Sequence, residues 1–179
     1  MTIRTRLIAG NKNYIKTADK IRLQETATNG QHPLAILVSC SDSRVIPEQI
    51  FDASIGELFV IRVAGNVLDR HQLGSIEYAA GHLHCGHIIV LGHTGCGAVN
   101  AALTGSSDGF IKYITDDILE AIGEERDPYK ACCLNVEHAV ARLKTEFNEH
   151  PEVGSAVIEG ALYDIRTGEV IWLDKEEAL

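Results

Sequence analysis

Two apolar runs, Leu34–Val38 and Ile88–Leu91, constrain the fold more than any other feature of the chain. Each has the length of a strand and is apolar at consecutive positions, so neither face of such a strand can look at water. Strands buried on both faces belong inside a parallel sheet covered by helices; a sheet with one wet face would alternate in polarity instead. Each run also leads directly into a loop rich in reactive side chains. Cys40-Ser41-Asp42-Ser43-Arg44 follows the first and His93-Thr94-Gly95-Cys96 the second. In open parallel sheets ligands gather at the carboxyl ends of strands, where both loops are expected to lie.

The rest of the chain supplies the other elements. Residues 2–28 carry apolar side chains at roughly helical spacing, with Asn11–Asn13 as the weak point where two shorter helices would part and Asn29-Gly30 as the stop. Pro47 opens a short helix reaching Phe51, and Glu57–Val63 is a second strand. Leu73–Leu83, Ala98–Leu103 and the stretches 110–122 and 129–147 read as helices. Val153–Leu162 reads as a fourth strand, and Arg166–Glu169 as a turn into a last one, Val170–Leu173. The expectation is an α/β fold: a mainly parallel central β-sheet with an antiparallel edge strand, flanked by helices, behind an N-terminal helical arm. We assign a single domain over 1–179, with 1–30 as the arm and 31–179 as the α/β core.

Composition narrows the function. A formal charge of −9 gives no basic face for phosphate contacts, which argues against nucleic-acid partners. No apolar run approaches the roughly 18 residues of a membrane span, and the basic N-terminus lacks the apolar core of a signal peptide, so a cytoplasmic location is expected. Five cysteines, an odd number in a chain of 179 residues, are no disulfide framework. In a reducing compartment they are packing residues, metal ligands or nucleophiles.

Cys40, His93 and Cys96 offer two thiolates and an imidazole, three of the four ligands of a tetrahedral zinc ion. A closed structural site would bring four Cys or His, whereas three with a carboxylate close by read as a catalytic site with one contested position, which the carboxylate could itself take and so close the site. Such a metal lowers the pKa of a bound water from 15.7 towards about 7. Asp42 stands two residues from Cys40 and Arg44 two further on, so in an extended turn all three can face one pocket. A guanidinium fork can grip the carboxylate bidentately, keeping it ionised and oriented towards a hydroxide on the metal.

With these residues in view, the sequence resembles a β-class carbonic anhydrase. The matching stretches are Cys40-Ser41-Asp42-Ser43-Arg44-Val45, Phe59 to Asn66, Gly74-Ser75-Ile76-Glu77-Tyr78-Ala79 and Gly92 to Ala98. The resemblance implies zinc, one per chain, held by Cys40, His93 and Cys96, with Asp42 and Arg44 as a catalytic dyad. It implies reversible hydration of carbon dioxide to bicarbonate and a proton through zinc-bound hydroxide. Gln31, Phe59, Ala64, Tyr78 and Gly97 fall at substrate-pocket positions, in homodimers or homotetramers whose pockets form at the subunit interface. A bicarbonate-regulated branch of the family uses a Trp, an Arg and a Tyr. Arg62 and Tyr163 match, but Leu37 stands at the Trp position and the only tryptophan is Trp172, which with Gln31 implies the open-site, plant-like branch.

Two rival readings are a hydrolase of carbonyl sulfide or carbon disulfide on the same fold, and a non-catalytic zinc-binding sensor. The intact Asp42-x-Arg44 pair argues against the second. His82, His84, Cys85 and His87 form a cluster that reads as a polar helix end before a second metal site or proton relay, and Cys132-Cys133 reads as helix packing.

Overall fold

The computed structural model describes residues 1–173. It divides into two compact units, Met1–Gln31 and the chain from His32 onward.

The first unit is two helices, α1 (Ile3–Thr17) and α2 (Lys20–Asn29). The break falls at Ala18-Asp19 and not at Asn11–Asn13. The Asp19 carboxylate accepts from the Arg22 N–H and so starts a new helix, a stronger local signal than the modest helix propensity of asparagine. No residue of either helix is buried, and Ile3, Leu7 and Ile21 expose most of their surface.

The second unit contains β1 (Ala35–Cys40), α3 (Pro47–Ile50), β2 (Leu58–Val63), a 3-10 turn at Ala64–Asn66, α4 (Arg70–Leu83) and β3 (His87–His93). There follow α5 (Gly97–Thr104), α6 (Ile111–Ile122), α7 (Pro128–Glu146), α8 (Pro151–Gly154), β4 (Val157–Tyr163) and β5 (Val170–Trp172). The five strands stand in the order β2-β1-β3-β4-β5, parallel except for the β4–β5 pair. This is the expected α/β sheet with an antiparallel edge. The fourth strand, however, begins at Val157. Pro151 at a helix start and Gly154 set a short helix where Val153 had been read as strand, and the sheet resumes where the Val157 N–H donates to Gly86 O.

Parity sorts the core. Ile36 and Val38 of β1 and Ile88 and Val90 of β3 pack with Ile76 and Ala79 of α4 and with Val136, Val140 and Leu143 of α7. Leu37 and Leu91 point to the opposite face, with Val45 and Ala161. Every residue of β1 is buried, which is why its sequence shows no alternation. From β1 the chain crosses to β2 on one side, and β3 then lies on β1's other side. The carboxyl ends of β1 and β3 therefore flank the topological switch point, the crevice where α/β sheets bind ligands.

Candidate metal centre

Cys40 is the last residue of β1, His93 the last of β3, and Cys96 caps the start of α5. Gly95, at φ +65°, makes the turn that returns the chain from β3 so that Cys96 faces Cys40. The Sγ atoms of Cys40 and Cys96 lie 4.0 Å apart. One ligand atom from each of Cys40, His93 and Cys96 falls within 4.8 Å of the others, and all three residues are buried. It is the one such grouping of three metal-ligating side chains among the described residues.

The protonation of these side chains tests whether a cation fits. The Nδ1 of His93 donates to Thr94 O at 3.0 Å, which leaves Nε2 as the acceptor; that atom is buried and has no hydrogen-bond partner. A buried polar atom without a partner is costly, and a cation would satisfy it. The Cys40 thiol is pulled far down, first by the hydrogen bond from Cys96, against burial, with His93 and the Gly65 N–H adding to it. Cys96 is pushed up by serving as that donor and then by burial. Burial works against a charged His93 ring, but the nearness and negative charge of the Cys40 sulfur outweigh it and raise its pKa. Two thiols and an imidazole thus compete for protons in a space that one soft divalent cation would fill.

The carboxylate is held beside this cluster. Arg44 donates from Nε to Asp42 Oδ1 at 2.9 Å and from Nη2 to Oδ2 at 2.7 Å, and its backbone N–H adds a third bond at 3.0 Å. Nη2 also reaches Gly95 O at 3.2 Å, tying the first loop to the second. These bonds from Arg44 hold the Asp42 carboxyl far below the usual carboxylate range. Its Oδ2 lies 3.9 Å from His93 Nε2.

Three supporting residues were not assigned such roles from the sequence. Arg62 donates from Nε to Cys40 O at 3.1 Å and from Nη2 to Asp42 O at 2.7 Å, bracing the loop. Gly65, at φ +69°, donates its N–H to Cys40 Sγ at 3.3 Å. Asn135 donates from Nδ2 to Gly65 O at 2.8 Å. Arg62, the single charge in the apolar run of β2, stands out in the sequence, but its resemblance to the regulated branch points to a different role. Nothing local marked the others, since Asn135 stands 70 residues from Gly65.

The expected pocket residues separate. Gly97 is the first residue of α5 and Ala64 directly follows β2, both next to site residues. Phe59 pairs in register with Ile36, four positions before the Cys40–Val63 pair, about 13 Å along the strands. Its ring meets that of Tyr78 of α4 in a tilted contact with centroids 6.3 Å apart, and Tyr78 is half exposed. Gln31 closes the first unit and is exposed. The second metal site considered for the histidine cluster is not formed. His82 packs on Tyr78 at 5.4 Å, His84 takes the left-handed helix cap, Cys85 is buried, and His87 pairs with Glu159 across β3–β4. Cys132 is buried in the cluster around Cys40 and Cys96.

This centre, at the switch point of a 2-1-3-4-5 sheet, agrees with what comparison with other proteins shows. The family model described as carbonic anhydrase matches residues 35–170. A carbonic anhydrase of Mycolicibacterium smegmatis is 34% identical over 180 residues, covering 92% of this chain and 85% of its own. Carbonic anhydrase 2 of Mycobacterium tuberculosis is 52% identical over 89 residues, so the match covers 49% of this chain and 43% of that relative. A structure reported among two tetrameric β-carbonic anhydrases from Sordaria macrospora superposes with a TM-score of 0.80 at 25% identity, over 97% of this chain and 98% of that one. The chain belongs to the β-class carbonic anhydrase family. Its fold, with the antiparallel edge strand and the helices on the sheet, is the fold of those structures.

Proposed function

We propose that the chain holds one zinc ion between Cys40, His93 and Cys96 and reversibly hydrates carbon dioxide to bicarbonate and a proton. The observation that carries this reading is the buried Cys-His-Cys cluster with an Arg44-clamped carboxylate 3.9 Å from its imidazole. Family membership supports it. Bound there, zinc would supply the Lewis acidity that makes water a nucleophile near neutral pH.

The chain's own residues do the rest. Asp42, ionised and fixed by Arg44, accepts a hydrogen bond from the attacking water and turns its lone pair towards the carbon of carbon dioxide. Arg44 prevents the carboxylate from rotating and keeps it from taking up the proton itself. One water and one carbon dioxide give one bicarbonate and one proton, and the proton leaves to solvent. Arg62 holds the carbonyls of Cys40 and Asp42, so the spacing between ligand and carboxylate is kept through turnover.

We assign the site to the open branch. Leu37 is fully buried at the position where the regulated branch has its tryptophan, and Arg62 is engaged with the backbone. Gln31, Phe59, Ala64, Tyr78 and Gly97 line the substrate pocket in this reading. Phe59 and Tyr78 serve the site of a second copy, because their own chain's Cys40 lies so far along the sheet. A homodimer, or the tetramer described for the Sordaria macrospora enzymes, accommodates this, and the exposed apolar side chains of the arm support it. Free thiol ligands suit a reducing, cytoplasmic setting. No helix among the described residues is long and apolar enough to cross a membrane.

Substrate comparison tests the assignment. Zinc-loaded protein is expected to turn over carbon dioxide far faster than carbonyl sulfide. The reverse ranking would move it to the sulfur-substrate hydrolases, and no turnover of either would leave a zinc-binding sensor.

A further inference from the structure

Asn135 lies on α7 with 4% of its surface exposed, among Ala131, Cys132, Val136 and Ala139, which are buried too. A buried amide in such surroundings is costly unless it is bonded. Its Nδ2 donates at 2.8 Å to Gly65 O. Gly65 is gripped on its other side as well, through the N–H that donates at 3.3 Å to Cys40 Sγ. Glycine is required there: at φ +69° a Cβ would lie 2.8 Å from Ile118 Cδ1 and 3.0 Å from Ala98 Cβ. The backbone therefore lies directly against α5 and α6; Asn135 anchors the Gly65–Asn66 peptide, and the N–H on Cys40 belongs to the preceding peptide, joined to it through φ and ψ of the closely packed Gly65.

We propose that Asn135 is a positioning residue for the metal centre: by holding Gly65 O it aims the Gly65 N–H at the sulfur of Cys40. The inference rests on Cys40 being a metal ligand, as proposed above. An N–H pointing at a thiolate stabilises its negative charge, and with it the deprotonated form that binds metal, and fixes the direction of the sulfur lone pairs. Partners of this kind, one step outside the ligands, tune a metal and are worth about tenfold to a hundredfold in affinity when lost. A purely structural asparagine would satisfy Gly65 O and leave the metal unaffected.

The test is cobalt substitution with chelator competition in wild type, Asn135→Ala and Asn135→Leu; the leucine keeps the approximate shape and has no donor. Leu143→Ala, buried two turns further along α7, is the control for loss of stability alone. Both Asn135 variants are expected to bind cobalt about tenfold to a hundredfold more weakly. Their sulfur-to-cobalt charge-transfer band is expected to move to longer wavelength, because the sulfur lone pairs rise in energy without the N–H. Leu143→Ala is expected to melt earlier with band and affinity unchanged. A folded Asn135→Ala with the wild-type band and affinity overturns the proposal, as does a Leu143→Ala that shifts both equally. If neither Asn135 variant folds, wild type loaded with cadmium-113 decides. A scalar coupling from the Gly65 amide proton to the metal supports the proposal, and no coupling overturns it. Wild type that takes up neither metal would instead contradict the metal-site reading itself.

Discussion

Asp42 Oδ2 lies 3.9 Å from His93 Nε2, and the same oxygen accepts from Arg44 Nη2 at 2.7 Å. The carboxylate thus stands beside the donor cluster while its lone pairs are engaged by an arginine that also reaches Gly95 O on the second loop. Removing the charge at Asp42 should therefore leave the three donors in place and take away the group that orients water. Asp42→Asn is expected to bind zinc at one ion per chain and to lose at least about a hundredfold in turnover, the lower range for a positioned acid–base group. Metal content by atomic absorption and initial rates check both halves.

The clamp itself makes a separate prediction. Lysine carries the charge of Arg44 but not its planar fork. Arg44→Lys is expected to keep the Asp42 carboxylate ionised at neutral pH yet let it swing, so turnover falls while zinc affinity holds. An unchanged rate would show that charge alone suffices.

Close packing behind His93 gives a prediction about stability. Gly92 immediately precedes His93, and a Cβ there would be driven into Cγ2 of Val136, well inside van der Waals contact. Gly92→Ala is expected to cost about 1–3 kcal/mol, the usual penalty of overpacking. Adding Val136→Ala removes the obstructing methyls, so the double variant should be more stable than the sum of the two single changes predicts. Urea unfolding of the four proteins measures the coupling.

The surface carries a pH-dependent term at Asp117. This residue lines a cavity of about 600 Å3 with Glu120, His138 and Arg142, and burial raises its pKa above the usual carboxylate value, against the opposing pull of Arg142. The sign follows from that direction. A carboxyl whose folded pKa exceeds its unfolded one favours the fold when protonated, and that contribution is lost as pH rises through the folded value. Asp117→Asn is expected to melt higher than wild type at pH 7, to lose this advantage as pH falls through the folded value, and to have lost it fully below the unfolded value of about 3.9. Melting curves at several pH values read this out.

Much of this was legible in the sequence for physical reasons. The β1 and β3 runs are apolar at consecutive positions because both faces of the inner strands are packed, one against α4 and α7 and the other against Val45, Ile50 and Phe51, and the alternate spacing of Cys40, Asp42 and Arg44 brings them to one side of a turn. Where the reading went astray, a local device prevailed over a broader pattern. Asp19 restarts a helix that the apolar spacing ran through, and Pro151 coils a stretch whose Val153 looked like strand. What could not be read was long-range satisfaction of backbone groups. Arg62 on the carbonyls of Cys40 and Asp42, and Asn135 on Gly65 O, are pairings fixed only once the sheet and α7 are assembled.

The most direct test of the central claim is stopped-flow carbon dioxide hydration from about pH 6.5 to about pH 9, on protein titrated from zero to one zinc per chain. Metal-free protein is expected to show no rate, and the rate to rise in proportion to bound zinc. Activity of the loaded protein is expected throughout the range, rising smoothly with pH, because Asp42 stays on Arg44 and off the metal. A fully loaded protein with no rate at any pH would contradict the assigned reaction, and a rate vanishing steeply below about pH 8 would contradict the open site.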